Sequence, residues 1–292
     1  MTSPVAITVA REYHLAVPLS VPLLATPDVA IDLGTANTRV FASGRGVVGE
    51  TPSVIGRRFH PLRRGVVVDI GGAAELLEPM LGSTRRLGFR ARALACVASD
   101  ATADETRALC QATRAAGARD VAIVSEPLAA AVGAGLDIAS PYAQMLVDLG
   151  DGVTDIAVIR SSEVLQSESL RLGCCDLRSI ITDEGFDEEQ AEQLMRERFR
   201  SDELTPDMML VAGRIASFVD DFVRDLPDSI AVEVVESGIC ATGGGAHLFG
   251  LIERIREQSG MTVSVANDPL HAVIRGASRI LTGPGARMLW SN

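Results

Sequence analysis

The 292-residue chain contains no lysine, so arginine supplies every fixed positive side-chain charge. P-loop NTPases, protein kinases and enzymes that form a Schiff base each depend on an active-site lysine. The sequence therefore excludes these three classes. Anion sites built from backbone N–H groups and Mg²⁺ remain open, because neither needs a lysine side chain.

The sequence also lacks the run of roughly 18 apolar residues that a membrane-spanning helix needs. Its net charge of −11 argues against nucleic-acid binding, because phosphate neutralisation requires a basic face. The five cysteines have no metal-ligand spacing. We expect reduced thiols, with a redox role for the adjacent Cys174 and Cys175 as the alternative. The 47% hydrophobic content suffices for two compact lobes of a cytoplasmic protein.

Residues 1–27 are apolar and contain proline, but they lack the basic start and continuous apolar core of a signal peptide. We expect a mostly flexible extension. Membrane contact through an amphipathic stretch, indirect or weak, is the alternative. The alternating positions of the apolar residues argue against it, because a helix needs a period near 3.6. These residues are Leu15, Val17, Leu19, Val21 and Leu23.

A short motif occurs twice in register, at residues 32–38 (DLGTANT) and residues 148–154 (DLGDGVT). In each copy a strand ends at an aspartate, a glycine follows two residues later, and a second strand begins. An ordinary β-turn explains either copy alone. Two aligned copies instead predict two similar half-domains that face each other across a cleft.

Hairpins of this kind suit a phosphate chain, because glycine at a tip lets backbone N–H groups approach an anion closely. The two strand-end carboxylates, Asp32 and Asp148, are candidates to hold the water ligands of a Mg²⁺ ion that bridges the phosphates. The predicted phosphate contacts are Gly34, Thr35, Ala36, Asn37 and Thr38 in the first hairpin, and Gly150, Asp151, Gly152 and Thr154 in the second.

These hairpins resemble the actin/Hsp70/sugar-kinase ATPase superfamily and, within it, the bacterial actin homologues of the MreB/Mbl type. The resemblance covers residues 28 to about 282 in the family's order. Further matching stretches are residues 52–54 (PSV), 61–66 (PLRRGV), 126–135 (EPLAAAVGAG), 241–246 (ATGGGA) and 268–270 (DPL).

The resemblance implies an α/β, actin-like ATPase fold, with two duplicated lobes of mixed sheet flanked by helices around a nucleotide cleft. We expect lobe I over residues 28–140, completed by residues 269–285, and lobe II over residues 141–268. Residues 286–292 form a C-terminal tail in this division. The implied ligands are ATP and Mg²⁺.

The resemblance also gives Glu126 a role, because in relatives the residue at this helix start orients the water that attacks the γ-phosphate. The alternative is that Glu126 only complements the helix dipole. Glycines 243–245 (Gly243, Gly244 and Gly245) follow an apolar strand, and we expect them beside the adenosine. Glu192 lies on an acidic helix over residues 185–199, in a region that reaches the ribose and adenine in the family.

Two departures from the family bear on ATP binding. Asp151 replaces a tip glycine, and Val153 removes a hydroxyl. A carboxylate about 4 Å from a phosphate would be repelled by about 4 kcal/mol at an effective dielectric near 20, unless it swings outward or shares the Mg²⁺. A repulsion of that size corresponds to a roughly thousandfold loss of affinity for the phosphate ligand. In addition, outer subdomain IB is reduced to residues 55–60, and subdomain IIB, between residues 173 and 243, is shortened.

Three functions stay open. The first is an MreB/Mbl-like cytoskeletal protein and weak ATPase that organises cell shape or cell-wall synthesis. Its expected partners are itself, a full-length MreB and the cell-wall synthesis machinery. The second is a degenerate actin-fold scaffold with weak or no nucleotide binding. The third, a small-molecule kinase or Hsp70-type ATPase, needs a substrate domain that this chain is too short to supply. The lysine-free composition and shortened form fit a filamentous, sporulating bacterium.

Overall fold

The computed structural model describes residues 27–56 and 59–290. The predicted N-terminal extension lies outside the described residues, apart from Pro27. Among the described helices, none is both long and apolar enough to cross a bilayer.

The first half of the chain forms a five-stranded sheet in the order β3-β2-β1-β6-β7. Its first three strands are antiparallel, and the last two run parallel to β1. A small hairpin, β4–β5, and three helices accompany it. The elements are β1 (Val29–Leu33), β2 (Asn37–Ala42), β3 (Gly46–Pro52), β4 (Leu62–Arg63), β5 (Val66–Val67), α1 (Ile70–Thr84), β6 (Ala93–Val97), α2 (Ala103–Ala115), β7 (Val121–Ser125) and α3 (Glu126–Ala134).

The second half repeats this topology strand for strand, in the order β10-β9-β8-β11-β12. The fold is therefore two duplicated mixed sheets flanked by helices, as the repeated motif predicted. The elements are β8 (Gln144–Leu149), β9 (Thr154–Arg160), β10 (Glu163–Leu170), α4 (Cys174–Asp183), α5 (Glu188–Ser201), α6 (Pro206–Arg224), α7 (Asp228–Ser237), β11 (Ile239–Thr242), α8 (Phe249–Ser259), β12 (Val263–Val265) and α9 (Ala272–Thr282). Short 3₁₀ turns cover Gly244–His247, Pro269–His271 and Pro284–Trp290.

Helices α3 and α9 form a shared core between the two sheets. Ala30 of the first sheet and Leu146 of the second are both fully buried in this core. The helices cross at two glycines: a Cβ on Gly133 would lie 1.8 Å from the Ala272 carbonyl oxygen, and one on Gly276 1.6 Å from that of Ala129. This close approach fixes the start of α3 between the sheets, where the cleft opens.

Candidate functional site

The two predicted hairpins face a single cavity of about 260 Å³. The first hairpin joins β1 to β2, and the second joins β8 to β9. Most of the residues that the sequence singled out line this cavity together. They are Asp32, Gly34, Thr35, Ala36, Asn37, Glu126, Asp148, Gly150, Asp151, Gly152, Glu192, Gly243 and Gly244.

Three predicted contacts, Thr38, Thr154 and Gly245, do not line the cavity. Thr38 is fully buried, with its Oγ1 2.8 Å from Ser53 Oγ, and Thr154 is fully buried and donates to the Leu172 carbonyl oxygen at 3.0 Å. Gly245 is packed inside, where a Cβ would lie 2.8 Å from Leu149 Cβ. These residues hold the hairpins and the loop in place, so the prediction that they contact a ligand is corrected.

The hairpin tips carry backbone N–H groups that no described part of the chain accepts. One backbone hydrogen bond closes the base of each hairpin, from Gly34 N to Asn37 O (3.1 Å) and from Gly150 N to Val153 O (2.9 Å). Beyond these bonds, the N–H groups at positions 35, 36, 151 and 152 have no hydrogen-bond acceptor within residues 27–56 and 59–290. Unpaired N–H groups beside a cavity favour an anionic ligand.

The turn between β4 and β5 lies between the two hairpins, a position that the sequence did not predict. The Gly65 N–H donates to Thr35 Oγ1 at 2.9 Å. A Cβ on Gly65 would lie 2.8 Å from Val153 Cγ2, and its φ of +73° also favours glycine. Val153 therefore packs against this turn, which accounts for an apolar residue at a position where the family resemblance led us to expect a hydroxyl. The feature of the sequence that could have indicated a role for this turn was the family-matching stretch at residues 61–66.

Asp151, the residue expected to repel phosphate, is paired with an arginine. Arg178 of α4 donates to Asp151 Oδ1 at 2.8 Å, and it also contacts carboxylates of Glu188 and Glu192, each at 3.1 Å. Burial raises the pKa of Asp151, and the charge of Arg178 opposes that rise. The full repulsion expected from the sequence therefore does not apply, because a guanidinium lies beside the carboxylate.

Glu192 lines the cavity but is already engaged by protein groups. It accepts from Arg178 at 3.1 Å and from Arg196 Nε at 2.9 Å. The acidic helix predicted over residues 185–199 is α5, and Met195 on the same helix also lines the cavity. This helix thus forms the cavity wall next to the second hairpin.

Four carboxyl groups have raised pKa values at the cleft: Asp32, Asp148 and Glu126 line the cavity, and Asp155 lies opposite Asp148 in the β8–β9 register. Burial raises the pKa of Asp148 to about 7, although the hydroxyl of Thr242 donates to it at 2.8 Å. Burial likewise raises the pKa of Asp155 to about 6, and that of Asp32 above its usual range. Glu126 is the fourth. This excess of acidic groups would be relieved by a divalent cation.

Glu126 is the first residue of α3 and lines the cavity. Burial, and then the charges of Asp155, Asp32 and Asp148, raise its pKa well above the usual range. Its carboxyl group has no hydrogen-bond partner within the described part of the chain. The position is therefore compatible with a water-orienting role.

Neither the cleft nor the rest of the described chain brings together three or more side chains suited to ligate a metal directly. A Mg²⁺ ion in such a place would be held through water and ligand oxygens, as is common for this ion. All five cysteines are free thiols. Cys174 is buried against the cavity, and burial raises the pKa of Cys175 to about 12.

The comparisons with known proteins agree with this geometry. The family model described as "MreB/Mbl protein" matches residues 56–183 and 193–286. The chain is 29% identical to the cell shape-determining protein MreB of Escherichia coli strain K12, over 87% of this chain and 93% of that protein. It is 26% identical to the cell shape-determining protein Mbl of Bacillus subtilis strain 168, over 87% and 95%.

Solved structures of MreB5 of Spiroplasma citri superpose on the chain. The structure bound to ADP gives a TM-score of 0.78 at 25% identity, and it covers 87% of this chain and 95% of that chain. The structure bound to AMPPNP gives a TM-score of 0.76 at 24% identity, with the same coverage. The superposition confirms the actin-like fold that the repeated hairpins predicted.

Proposed function

This chain belongs to the MreB/Mbl family, and we propose that it is an actin-type cytoskeletal protein whose cleft binds Mg·ATP. One observation carries the proposal: two hairpin tips with free N–H groups line the same cavity. Opposed anion-binding tips suit the phosphate chain of a nucleotide. The ADP and AMPPNP complexes of MreB5 support the same class of ligand.

The glycines around the cavity fit a nucleotide. A Cβ on Gly150 would lie 2.6 Å from the Val153 carbonyl oxygen, so a side chain would disturb the hairpin tip. At Gly244 a Cβ would meet only Leu270, at 3.8 Å. The absence of a side chain at this residue therefore leaves open space beside the cavity wall. We place the adenosine beside Gly243 and Gly244, with Glu192 on the facing wall.

Asp32 and Asp148 would hold Mg²⁺ through water, and each keeps one carboxylate oxygen outside its side-chain hydrogen bond. Arg39 donates to Oδ2 of Asp32, and Thr242 donates to Oδ1 of Asp148. When bound, Mg²⁺ would offset the negative charge that the phosphates bring to this acidic cleft. Asp151 opposes phosphate binding, and Arg178 compensates for it.

Glu126 is the residue we assign to orient the attacking water, and the resulting ATPase is weak. Burial and the neighbouring carboxylates raise the pKa of Glu126, and a bound cation would lower that pKa and so favour the ionised form, which is the form that accepts a proton from water. Turnover therefore depends on the cation more strongly than binding does.

In the cell we propose assembly with itself or with a full-length MreB in the cytoplasm, in support of cell-wall synthesis in a sporulating bacterium. The relatives named as cell shape-determining proteins support this role. A degenerate scaffold is the second candidate. The observation that favours it is Arg178, whose charge is already shared among three carboxylates.

Calorimetric titration of the full chain with Mg·ATP tests the proposal, beside Gly244→Val and its control Gly213→Val. A Cβ at residue 244 meets no backbone atom within 4 Å and lies at the cavity wall, so valine adds bulk there, whereas a Cβ on Gly213 of α6 has no neighbour within 4 Å. We expect the wild type and Gly213→Val to bind alike and Gly244→Val to lose at least about tenfold in affinity. Absence of binding by the wild type would reject the proposal in favour of the scaffold.

A further inference from the structure

Arg39 lies on β2 of the first sheet, between a carboxylate on each of the two neighbouring strands. In the strand register it pairs with Asp32 of β1 on one side and Glu50 of β3 on the other. Its Nε donates to Glu50 Oε1 at 2.8 Å, and its Nη1 donates to Asp32 Oδ2 at 3.2 Å. Only 5% of the residue is exposed.

The third nitrogen of this guanidinium has no partner. Nη2 of Arg39 is buried and makes no hydrogen bond to any described residue, and Arg39 is one of the residues that line the cavity. A buried charged donor without an acceptor is unfavourable. Few such groups persist in folded proteins unless a ligand or ordered water satisfies them.

A purely structural role does not require an arginine here. Two neutral residues, or a pair of apolar ones, often replace a buried ion pair without loss of stability. Moreover, Nε and Nη1 already supply the hydrogen bonds to both carboxylates, so the burial of Nη2 is not offset by any hydrogen bond within the described chain. A guanidinium presents its donors in a fixed fork, which suits an additional oxyanion.

We propose that Arg39 is a phosphate-binding residue: Nη2 donates to an oxygen of the polyphosphate chain of the ligand, while Asp32 and Glu50 hold the guanidinium in place. The inference deepens the proposed function, since it names the part of the nucleotide that Arg39 recognises. It also supplies the site with a positive side chain in a protein that has no lysine. The recognised chemistry is polyphosphate, so adenosine alone should not depend on Arg39.

The test measures binding of sodium tripolyphosphate, Mg·ATP and adenosine to the full chain by calorimetry. Arg39→Gln removes the donor. Arg39→Gln/Glu50→Gln removes one charge of each sign, so it separates loss of the donor from a change in net charge. Arg39→Lys keeps the charge without the fork and serves if the glutamine variants do not fold. Arg45→Gln is the control, because Arg45 donates to the Ser83 carbonyl oxygen on the exposed surface.

We expect the double variant to bind tripolyphosphate and Mg·ATP about tenfold more weakly than the wild type, as for the loss of one charged hydrogen bond. Arg39→Lys should be weakened in the same direction, and Arg45→Gln and all adenosine affinities should not change. Wild-type affinity for both phosphates in the double variant, or in Arg39→Lys, would overturn the inference and leave the proposed function standing.

Two other outcomes separate the inference from the proposed function. If the wild type binds tripolyphosphate but not Mg·ATP, and the double variant loses that binding, Arg39 is a phosphate-binding residue of a site that is not for nucleotides. If the wild type binds neither compound, both the inference and the proposed function are rejected.

Discussion

At the scale of single residues, the cleft is governed by how each charge is compensated. Asp151 would be unfavourable beside a phosphate, but it lies 2.8 Å from Arg178. No pattern in the sequence joins these two residues, because they are 27 positions apart and only the docking of α4 brings them together. The sequence predicted the acidic tip correctly and missed the cation that offsets it.

Asp151→Asn should strengthen Mg·ATP binding. Removal of the carboxylate charge leaves the Arg178 guanidinium more available to the ligand, and we expect about a threefold to tenfold gain in affinity. Calorimetry measures it, with Asp183→Asn as the control, since Asp183 is an exposed residue at the end of α4. Weaker binding by Asp151→Asn would mean that the carboxylate itself holds the ligand or its Mg²⁺.

The stability of the ligand-free protein should fall between pH 5 and pH 8. The folded protein holds the protons of Asp155 and Asp148 up to pKa values of about 6 and about 7, whereas an unfolded aspartate releases its proton near pH 4. Stabilisation is therefore complete below about pH 4 and is lost as the pH rises through 6 and 7. At about 1.4 kcal/mol per pH unit, the two groups together give an expected loss of up to about 4 kcal/mol in the free energy of unfolding.

Urea titrations at several pH values measure this dependence. Asp148→Asn should flatten it, because the amide still accepts from Thr242 but does not titrate. Asp183→Asn should leave the pH dependence unchanged. A stability that is constant or rises from pH 5 to pH 8 would show that these carboxyl groups are ionised in the folded protein.

At the scale of elements, the parts with a strong local pattern were predictable and those fixed by packing were not. The repeated Asp-x-Gly pattern predicted both hairpins, and they form. The same pattern placed Thr38 and Thr154 at the ligand, but their side chains point into the protein and bond to Ser53 and Leu172. Which face a strand residue presents depends on the tertiary contacts of the sheet.

Residues 173–243 are a second region where the local sequence pattern did not predict the structure. The sequence predicted one acidic helix there, and the structure contains α4, α5, α6 and α7 between β10 and β11. Arg39 was detectable in principle. Once β1, β2 and β3 are paired, the register alone brings it beside Asp32 and Glu50. The unpartnered nitrogen, in contrast, is visible only in the packed structure.

The crossing of α3 and α9 should be intolerant of any side chain at its centre. A Cβ on Gly133 would lie 1.8 Å from the Ala272 carbonyl oxygen, so Gly133→Ala must push the helices apart. We expect a loss of about 2–3 kcal/mol in the free energy of unfolding. Gly213→Ala in α6 should instead gain about 0.5–1 kcal/mol, because nothing surrounds that position. Urea unfolding distinguishes the two, and equal stabilities would show that the crossing can relax.

At the scale of the whole molecule, ion pairs join the first half of the chain to the second half near the second hairpin. Arg171 from the end of β10 donates to both oxygens of Asp100, at 2.6 and 2.9 Å, and Arg64 from the β4–β5 turn pairs with Asp176 of α4. With the shared core of α3 and α9, these contacts hold the hairpin tips opposite each other. The geometry of the cleft is thus a property of the whole fold rather than of either half.

The most direct test of the central claim is amide hydrogen exchange at the two hairpin tips, with and without saturating Mg·ATP. The N–H groups at residues 35, 36, 151 and 152 have no acceptor within the described chain, and a bound phosphate chain would supply one. The account predicts that nucleotide slows exchange in both tips together and leaves the exposed turn residues Gly44 and Arg45 unchanged. Saturation with Mg·ATP that protects neither tip, or only one, would contradict it.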